Sequence, residues 1–300
     1  MKHCVVTGGA GYIGSHTVLT LLNSGYKVTV LDSFVNSNVE SLKRLEKLTE
    51  NFKNLSWYKV DLEFKQDIFD ILKQIDQIDS CIHFAGLKSV GESVQLPSLY
   101  YRKNLISSIN LIDALKEFKI KKFIFSSSAT VYGNSESPLD ETSNVGINLT
   151  NPYGKTKYMI EEMLKDFSKS EESTIDGKKI TIVILRYFNP IGAHPSGELG
   201  EHPNGIPNNL LPYILQVMSG KLKKLNIYAE PKFNTPDGTG VRDYVHVMDV
   251  AEGHIASIDY AEKTTDRVSV FNLGTGKGTS VFELVNKMEN ICQCKIPYQI

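Results

Sequence analysis

The sequence predicts an α/β protein, a doubly wound parallel sheet with a smaller C-terminal lobe. Short β-branched apolar runs alternate with segments of helical period, and the runs are apolar throughout rather than at every second residue. Strands of that kind belong to a sheet covered on both faces. After Arg186 the alternation gives way to a stretch rich in Pro, Gly and Asn, where the lobe begins.

His3–Thr7 opens the expected sheet, and Lys27–Asp32, Leu55–Val60, Ser80–Phe84, Lys122–Ser127 and Lys179–Arg186 continue it. Helices are expected between them at Ile13–Asn23, Val39–Glu50, Lys65–Gln74, Pro97–Phe118 and Tyr153–Ser168. The polar stretch Glu171–Lys179 reads as a surface loop. A loop-rich segment from Asn189 to Pro207, a helix over Asn208–Ser219 and a loop over Glu230–Gly240 make the inserted lobe. Val247–Tyr260 and Val268–Asn272 then return a helix and a strand to the sheet. Right-handed crossovers gather the carboxyl ends of the strands along one edge, and ligands of such sheets bind there.

Composition narrows the classes. A chain of 300 residues, 41% apolar and 22% charged, buries a full core and is not disordered. Its formal net charge of −1 provides no field to draw in nucleic acid or an anionic membrane. Any phosphate must therefore be held by a few placed donors. Cys4 and Cys81 fall in strand runs, while Cys292 and Cys294 have one residue between them, which is not a common zinc spacing. No metal site is expected, and the cysteine pattern fits a reducing compartment. The start of the chain has no signal-peptide core and no apolar run spans a bilayer, so a soluble, cytoplasmic protein is expected.

The first strand ends in Thr7-Gly8-Gly9-Ala10-Gly11-Tyr12-Ile13-Gly14, with Gly8, Gly11 and Gly14 in G-x-x-G-x-x-G spacing. Such a triplet alone fits an ordinary loop as well as a phosphate-binding turn. Context favours the turn, because it stands in the first βα unit and Asp32 closes the second strand. Glycines admit the tight turn and the close approach of a pyrophosphate, which a helix N-terminus then holds. A carboxylate at Asp32 accepts from ribose hydroxyls and repels a 2′-phosphate, so a Rossmann-type NAD site is expected rather than one for NADP. Asp61, after the third strand, suits the adenine edge or equally a helix cap.

Tyr153 and Lys157 form Tyr-x-x-x-Lys and share one helix face. A free phenol has a pKa of about 10. A neighbouring ammonium and an oxidised nicotinamide would lower it enough for base catalysis. On its own the pair reads as an amphipathic helix with a surface lysine. Ser128, just past the fifth strand, changes that reading, since it would meet Tyr153 and Lys157 at the ligand edge.

These residues lie in long strings: TGGAGYIGSH at Thr7–His16, HFAGLKSVGES at His83–Ser93, FSSSATVYG at Phe125–Gly133 and NPYGKTK at Asn151–Lys157. LRYFNPIGAHPSG at Leu185–Gly197, GIPNNL at Gly205–Leu210 and GTGVRDYVHVMD at Gly238–Asp249 follow. From Val5 to about Asn286 the chain resembles the extended short-chain dehydrogenase/reductases, and within them the sugar-nucleotide 4-epimerases. The resemblance implies interconversion of UDP-glucose and UDP-galactose, in galactose metabolism, through reversible oxidation at C4 with tightly held NAD. It implies a catalytic set of Ser128, Tyr153 and Lys157. For NAD it implies Tyr12, Ile13, Asp32, Ser33, Phe34, Val35, Asn36, Ser37, Asp61, Leu62, Phe84, Ala85, Gly86, Leu87, Lys88, Asn104 and Phe188. For the UDP-sugar it implies Asn189, Asn208, Asn209, Leu210, Asn226, Ile227, Tyr228 and Arg242, with Lys88, Ser128 and Tyr153 shared. Loop and cap chemistry is the plainer reading of the asparagines, and a salt bridge to Asp237 or Asp243 that of Arg242.

The resemblance divides the chain into an NAD-binding domain, 1–188 with 241–275 rejoining it, and a substrate lobe, 189–240 with 276–300. It also implies a homodimer through the Pro97–Phe118 and Tyr153–Ser168 helices. Related 4,6-dehydratases have an acidic pair directly after the strand-five hydroxyl residue, and here Ala129 and Thr130 stand there instead. The chain stops at Pro297-Tyr298-Gln299-Ile300, where a strand is expected to start and where the family continues for several dozen residues. The expectation is a truncated lobe, with impaired UDP binding or activity, and in some relatives a fused mutarotase domain. The position that governs N-acetylated hexoses is outside the sequence.

Overall fold

A computed structural model describes every residue of the chain except Asn204, Pro231 and Lys232. In chain order its elements begin β1 (His3–Thr7), α1 (Tyr12–Asn23), β2 (Lys27–Asp32), α2 (Glu40–Lys43), β3 (Leu55–Lys59), α3 (Lys65–Leu72) and β4 (Ser80–His83). Next come α4 (Val90–Gln95), α5 (Pro97–Glu117), β5 (Lys122–Ser128), α6 (Pro152–Lys169), β6 (Thr174–Ile175), β7 (Lys178–Lys179) and β8 (Thr181–Tyr187). The remainder are β9 (Asn189–Ile191), α7 (Leu210–Met218), β10 (Leu225–Asn226), β11 (Val241–His246), α8 (Val247–Lys263), β12 (Val268–Leu273), β13 (Gly278–Ser280), α9 (Val281–Cys292) and β14 (Tyr298–Gln299).

Seven strands form one sheet in the order β12-β8-β5-β4-β1-β2-β3, and every neighbouring pair is parallel. The order reverses between β1 and β4. That is the switch point where a crevice opens at the strand ends. One apolar face packs under α1 and α8 through Val6, Val18, Leu22, Val30, Val250 and Ile258. The other packs under α3, α5 and α6 through Val5, Leu31, Leu111, Leu115, Ile160 and Leu164. Cys4 and Cys81 are buried in these strands, and Cys292 and Cys294 are exposed.

A second, smaller core joins α7, β10 and α9 through Ile214, Val217, Leu225, Ile227, Leu284, Val285 and Ile296. Beside it, β11 pairs in parallel with β9 and antiparallel with β13. Among the described residues no helix is long and apolar enough to cross a membrane.

Two local expectations differ from the structure. The single helix over Val39–Glu50 is a short helix followed by a 3-10 turn at Arg44–Lys47. Leu42 and Leu45, three apart and both fully buried, suit the three-residue repeat of that turn. The Glu171–Lys179 loop holds the antiparallel hairpin β6–β7. Asp176-Gly177 lies between its strands with both residues at positive φ, an Asp-Gly hairpin turn that the polar composition masks.

Candidate active site

The glycine turn is tightly built. Gly8 has φ of 70°, and a Cβ there would lie 2.6 Å from the Ala85 nitrogen. A Cβ on Gly14 would lie 2.3 Å from the Gly8 carbonyl oxygen, so α1 can start only where both residues lack side chains. Gly11 caps α1 without a side-chain hydrogen bond, leaving the first-turn N–H groups uncapped by any side chain. That end of the helix is suited to a phosphate. Tyr12 donates its hydroxyl to the Gly192 carbonyl at 2.7 Å, tying the turn to the lobe, and Ile13 packs on the core.

Asp32 is buried at the end of β2. Its carboxylate accepts the N–H groups of Ala10 at 3.0 Å and Phe34 at 2.9 Å, and the Ser37 hydroxyl at 2.8 Å. It thereby folds the loop of Ser33, Phe34, Val35, Asn36 and Ser37 back over the turn, with Val35 and Asn36 exposed. A carboxylate has about four acceptor positions, so one more donor can be received. Asp61 accepts the Lys103 ammonium at 2.7 Å and the Glu63 N–H at 3.1 Å. Burial opposes its ionisation, but these donors hold it below the ordinary carboxylate range. The cap position of α3 belongs to Phe64, so Asp61 is a turn residue after β3 rather than a helix cap.

Phe84, Ala85, Gly86 and Leu87 leave β4 at the switch point. Asn104 on α5 fixes them: its Oδ1 accepts the Leu87 N–H at 2.8 Å, while its Nδ2 donates to the Leu87 carbonyl at 3.1 Å and Thr156 Oγ1 at 3.0 Å. Leu62 is buried in the sheet core, and its carbonyl accepts from Asn110 at 2.9 Å.

Three consecutive serines end β5, and α6 lays three polar residues against them. Asn151 caps α6 by accepting the Gly154 N–H at 2.8 Å, and Pro152 sets its first turn. Tyr153, Lys157 and Glu161, each four apart, then share one face. Burial raises the Tyr153 phenol pKa, and the neighbouring Ser128 hydroxyl offsets that rise only in part. Lys157 donates from Nζ to the Ser126 carbonyl at 2.6 Å and lies 4.8 Å from the centre of the Phe125 ring. Burial pulls its pKa down to about 8, against the attraction of Glu161. The chain's own residues thus bring Tyr153 and Lys157 together but do not by themselves depress the phenol pKa.

The lobe residues divide. Phe188 lies at the end of β8, where it would meet a side chain on Gly274 at 2.8 Å. Asn189 opens β9. Asn208 donates to Ser89 Oγ at 3.1 Å and Asn209 to Glu201 at 3.1 Å, while Lys88 pairs with Glu201 at 3.8 Å. These contacts bring Asn208, Asn209 and Lys88 together across the crevice. Glu201 is the acid that sequence reasoning missed; nothing but a carboxylate in a Gly- and Pro-rich loop marked it. Leu210 packs on the lobe core, the Ile227 side chain is inside that core, and Asn226 and Tyr228 are exposed. Arg242 is exposed, donates to its own carbonyl neighbour Val241 at 2.7 Å and has no carboxylate partner among the described residues. Asp237 instead bonds Ser280 and Thr239, and Asp243 bonds Thr275 and Gly276.

The NAD dependent epimerase/dehydratase family model matches residues 4–274. The chain belongs to that family. It is 50% identical over 297 residues to a UDP-glucose 4-epimerase of Yersinia enterocolitica, covering 99% of this chain and 84% of the relative. It is 47% identical over 296 residues to that of Bacillus subtilis, covering 98% and 84%. The fold of the Bifidobacterium longum UDP-glucose 4-epimerase, solved with NAD+ and UDP, superposes with a TM-score of 0.91 at 46% identity, covering 100% of this chain and 86% of that one. A dinucleotide fits what this epimerase/dehydratase chain presents. The turn excludes side chains at Gly8 and Gly14, α1 begins without a side-chain cap, and Asp32 keeps an acceptor position.

Proposed function

We propose that this chain is a UDP-glucose 4-epimerase that interconverts UDP-glucose and UDP-galactose with NAD retained between turnovers. The observation that carries the reading is the row on α6, with Tyr153 against Ser128 and Lys157 against Ser126, at the same sheet edge as the glycine turn. Gly8, Gly11, Tyr12, Ile13 and Gly14 would hold the pyrophosphate, Asp32 the adenosine ribose and Asp61 the adenine edge. Bound there, NAD supplies the oxidant that takes a hydride from C4 of the hexose and gives it back.

Tyr153 is the base. Its phenolate takes the proton of the 4-hydroxyl while Ser128 hydrogen-bonds the same oxygen, and it returns the proton after the 4-keto sugar has turned over. Lys157 supports both functions, since its ammonium holds the cofactor ribose and stabilises the phenolate. Burial raises the Tyr153 pKa, and a second positive charge beside the phenol would oppose that rise. Asn189, Asn208, Asn209, Leu210, Asn226, Ile227, Tyr228 and Arg242 are proposed to hold the UDP portion. Ile227 can do so only through its backbone. A firm grip on the nucleotide and a loose one on the hexose let the keto sugar present its other face.

In this reading residues 1–188 and 241–275 form the cofactor-binding domain, and the rest the substrate lobe. A homodimer through α5 and α6 is proposed, supported by the apolar Ile109 and Met159 that these helices expose. A cytoplasmic location agrees with four free cysteines. The test is to incubate purified protein with UDP-galactose without added cofactor. UDP-glucose forms if the reading holds, and denaturing the protein releases NAD. Folded protein that yields no UDP-glucose, with or without added NAD, contradicts it.

A further inference from the structure

One turn beyond Lys157 on α6, Glu161 is fully buried. Arg186 of β8 grips it with Nε at 3.0 Å from Oε1 and Nη2 at 2.6 Å from Oε2, and Ser127 donates to Oε1 at 2.5 Å. Arg186 in turn donates to the Tyr132 hydroxyl at 3.1 Å, which donates to Asn272 Oδ1 at 2.7 Å. The row Tyr153, Lys157, Glu161, Arg186 therefore alternates in sign when Tyr153 is ionised, and its charges cancel. With Tyr153 neutral the row has one excess positive charge in a dry interior, where such an imbalance is costly.

A buried ion pair is weak evidence for stability, because apolar replacement of both partners often folds as well. What Glu161 and Arg186 do beyond folding follows from where they are. We propose that Glu161, clamped by Arg186 and Ser127, is a positioning residue for the reaction: its carboxylate keeps the Lys157 ammonium charged and aimed at the Ser126 carbonyl beside Tyr153. The inference rests on the reading of Tyr153 and Lys157 given above.

The groups facing Lys157 come from every packed element. Tyr153 and Glu161 share its helix, and His83 approaches from β4. Arg186 and Tyr187 lie on β8, and Tyr132 follows β5. His83 is neutral, because burial and the Lys157 charge bring its pKa down to about 3. Burial, with a smaller contribution from Tyr153, pushes the Tyr187 phenol up, and its hydroxyl is bonded to Ser126. Burial and then the Glu161 hydrogen bond act on Arg186 in opposite directions, leaving it charged. Glu161 is thus the anion available to oppose the desolvation of Lys157, whatever the state of Tyr153.

The test uses the NAD-loaded protein with carbon-13 at the lysine ε position, with Lys157 assigned by its loss in Lys157→Met. Two readings are taken across pH: the Lys157 titration midpoint, and the alkaline limb of kcat/KM for UDP-galactose. In Glu161→Gln both move down by about one pH unit, and in Glu161→Asp both return toward the native value. If Glu161→Gln does not fold, the double variant Glu161→Gln with Arg186→Met removes the stranded charge and takes its place. It too is expected to show the lower midpoint. An unmoved midpoint in a folded variant overturns the proposal alone. A midpoint that moves while the kinetic limb stays overturns the role of Lys157 on which the proposal rests.

Discussion

The Lys157 ammonium reaches the Ser126 carbonyl at 2.6 Å in a place where burial lowers its pKa from 10.5 to about 8. A charged lysine there costs the folded state about 3 kcal/mol at neutral pH, taking 1.36 kcal/mol per unit. Because the folded pKa is below the unfolded one, this penalty is relieved as pH rises from about 8 to 10.5. Lys157→Met is therefore expected to melt at or above the native temperature while losing turnover at least about a hundredfold. Calorimetry and UDP-galactose turnover on the same preparation check it. Loss of stability together with activity would point to a structural lysine instead.

The glycine turn predicts a different pattern. Gly14→Ala puts a methyl 2.3 Å from the Gly8 carbonyl, a backbone atom that cannot move aside. Strain of about 1–3 kcal/mol is expected, and α1 must shift away from Gly8. The variant should lower the melting temperature and emerge from purification with little bound dinucleotide. The absorbance of the released cofactor measures this, and full occupancy would contradict the assigned turn.

Asp32, at the end of β2, folds its loop and is proposed to receive the adenosine ribose. Asp32→Asn keeps an acceptor oxygen for the Ala10 or Phe34 N–H but removes the negative charge. The preference of cofactor-free protein for NAD over NADP is expected to fall at least about tenfold, or about 1.4 kcal/mol. Equilibrium binding of the two dinucleotides decides the matter, and an unchanged ratio would remove Asp32 from the ribose site.

Four histidines are buried, and His3, His83 and His254 among them bear on stability in acid. Burial lowers His83 to about 3 and both His3 and His254 to about 4, from 6.5. The His83 proton is on Nε2: Ser108 donates to the Asn104 carbonyl, so it accepts from His83, whose Nδ1 accepts from Thr7. Between pH 6.5 and 4 the unfolded chain binds more protons, so the stability these neutral rings contribute above pH 6.5 is lost as pH falls. His254 stacks 4.5 Å from Phe84 and has an unpartnered Nε2. His254→Phe should therefore reduce the acid-induced loss by about 3 kcal/mol, measured as urea unfolding at neutral and acid pH.

Much of this was legible before any coordinates. The main strands and long helices follow from apolar runs and helical period, because a parallel sheet covered on both faces leaves an unbroken signature. Ser128, Tyr153 and Lys157 could be expected to meet because strand and helix order fixes which ends share an edge. The small sheet of β9, β11 and β13 was not legible: its strands pair across long sequence separations, and β11 contains the charged Arg242 and Asp243. Helix α9 went unread although its start is marked, since Ser280 and Glu283 form a reciprocal capping box ahead of an apolar run. Nothing in the linear sequence joins Glu161 to Arg186, and only the packing of α6 on β5 and β8 reveals them as a buried pair.

In the proposed reaction the Tyr153 phenol moves the proton of the hexose 4-hydroxyl. Turnover of UDP-galactose by Tyr153→Phe, against native protein with equal NAD content and melting temperature, tests it most directly. A loss of about a thousandfold or more in kcat is expected, with the bound cofactor retained. A rate within a few-fold of native would contradict it.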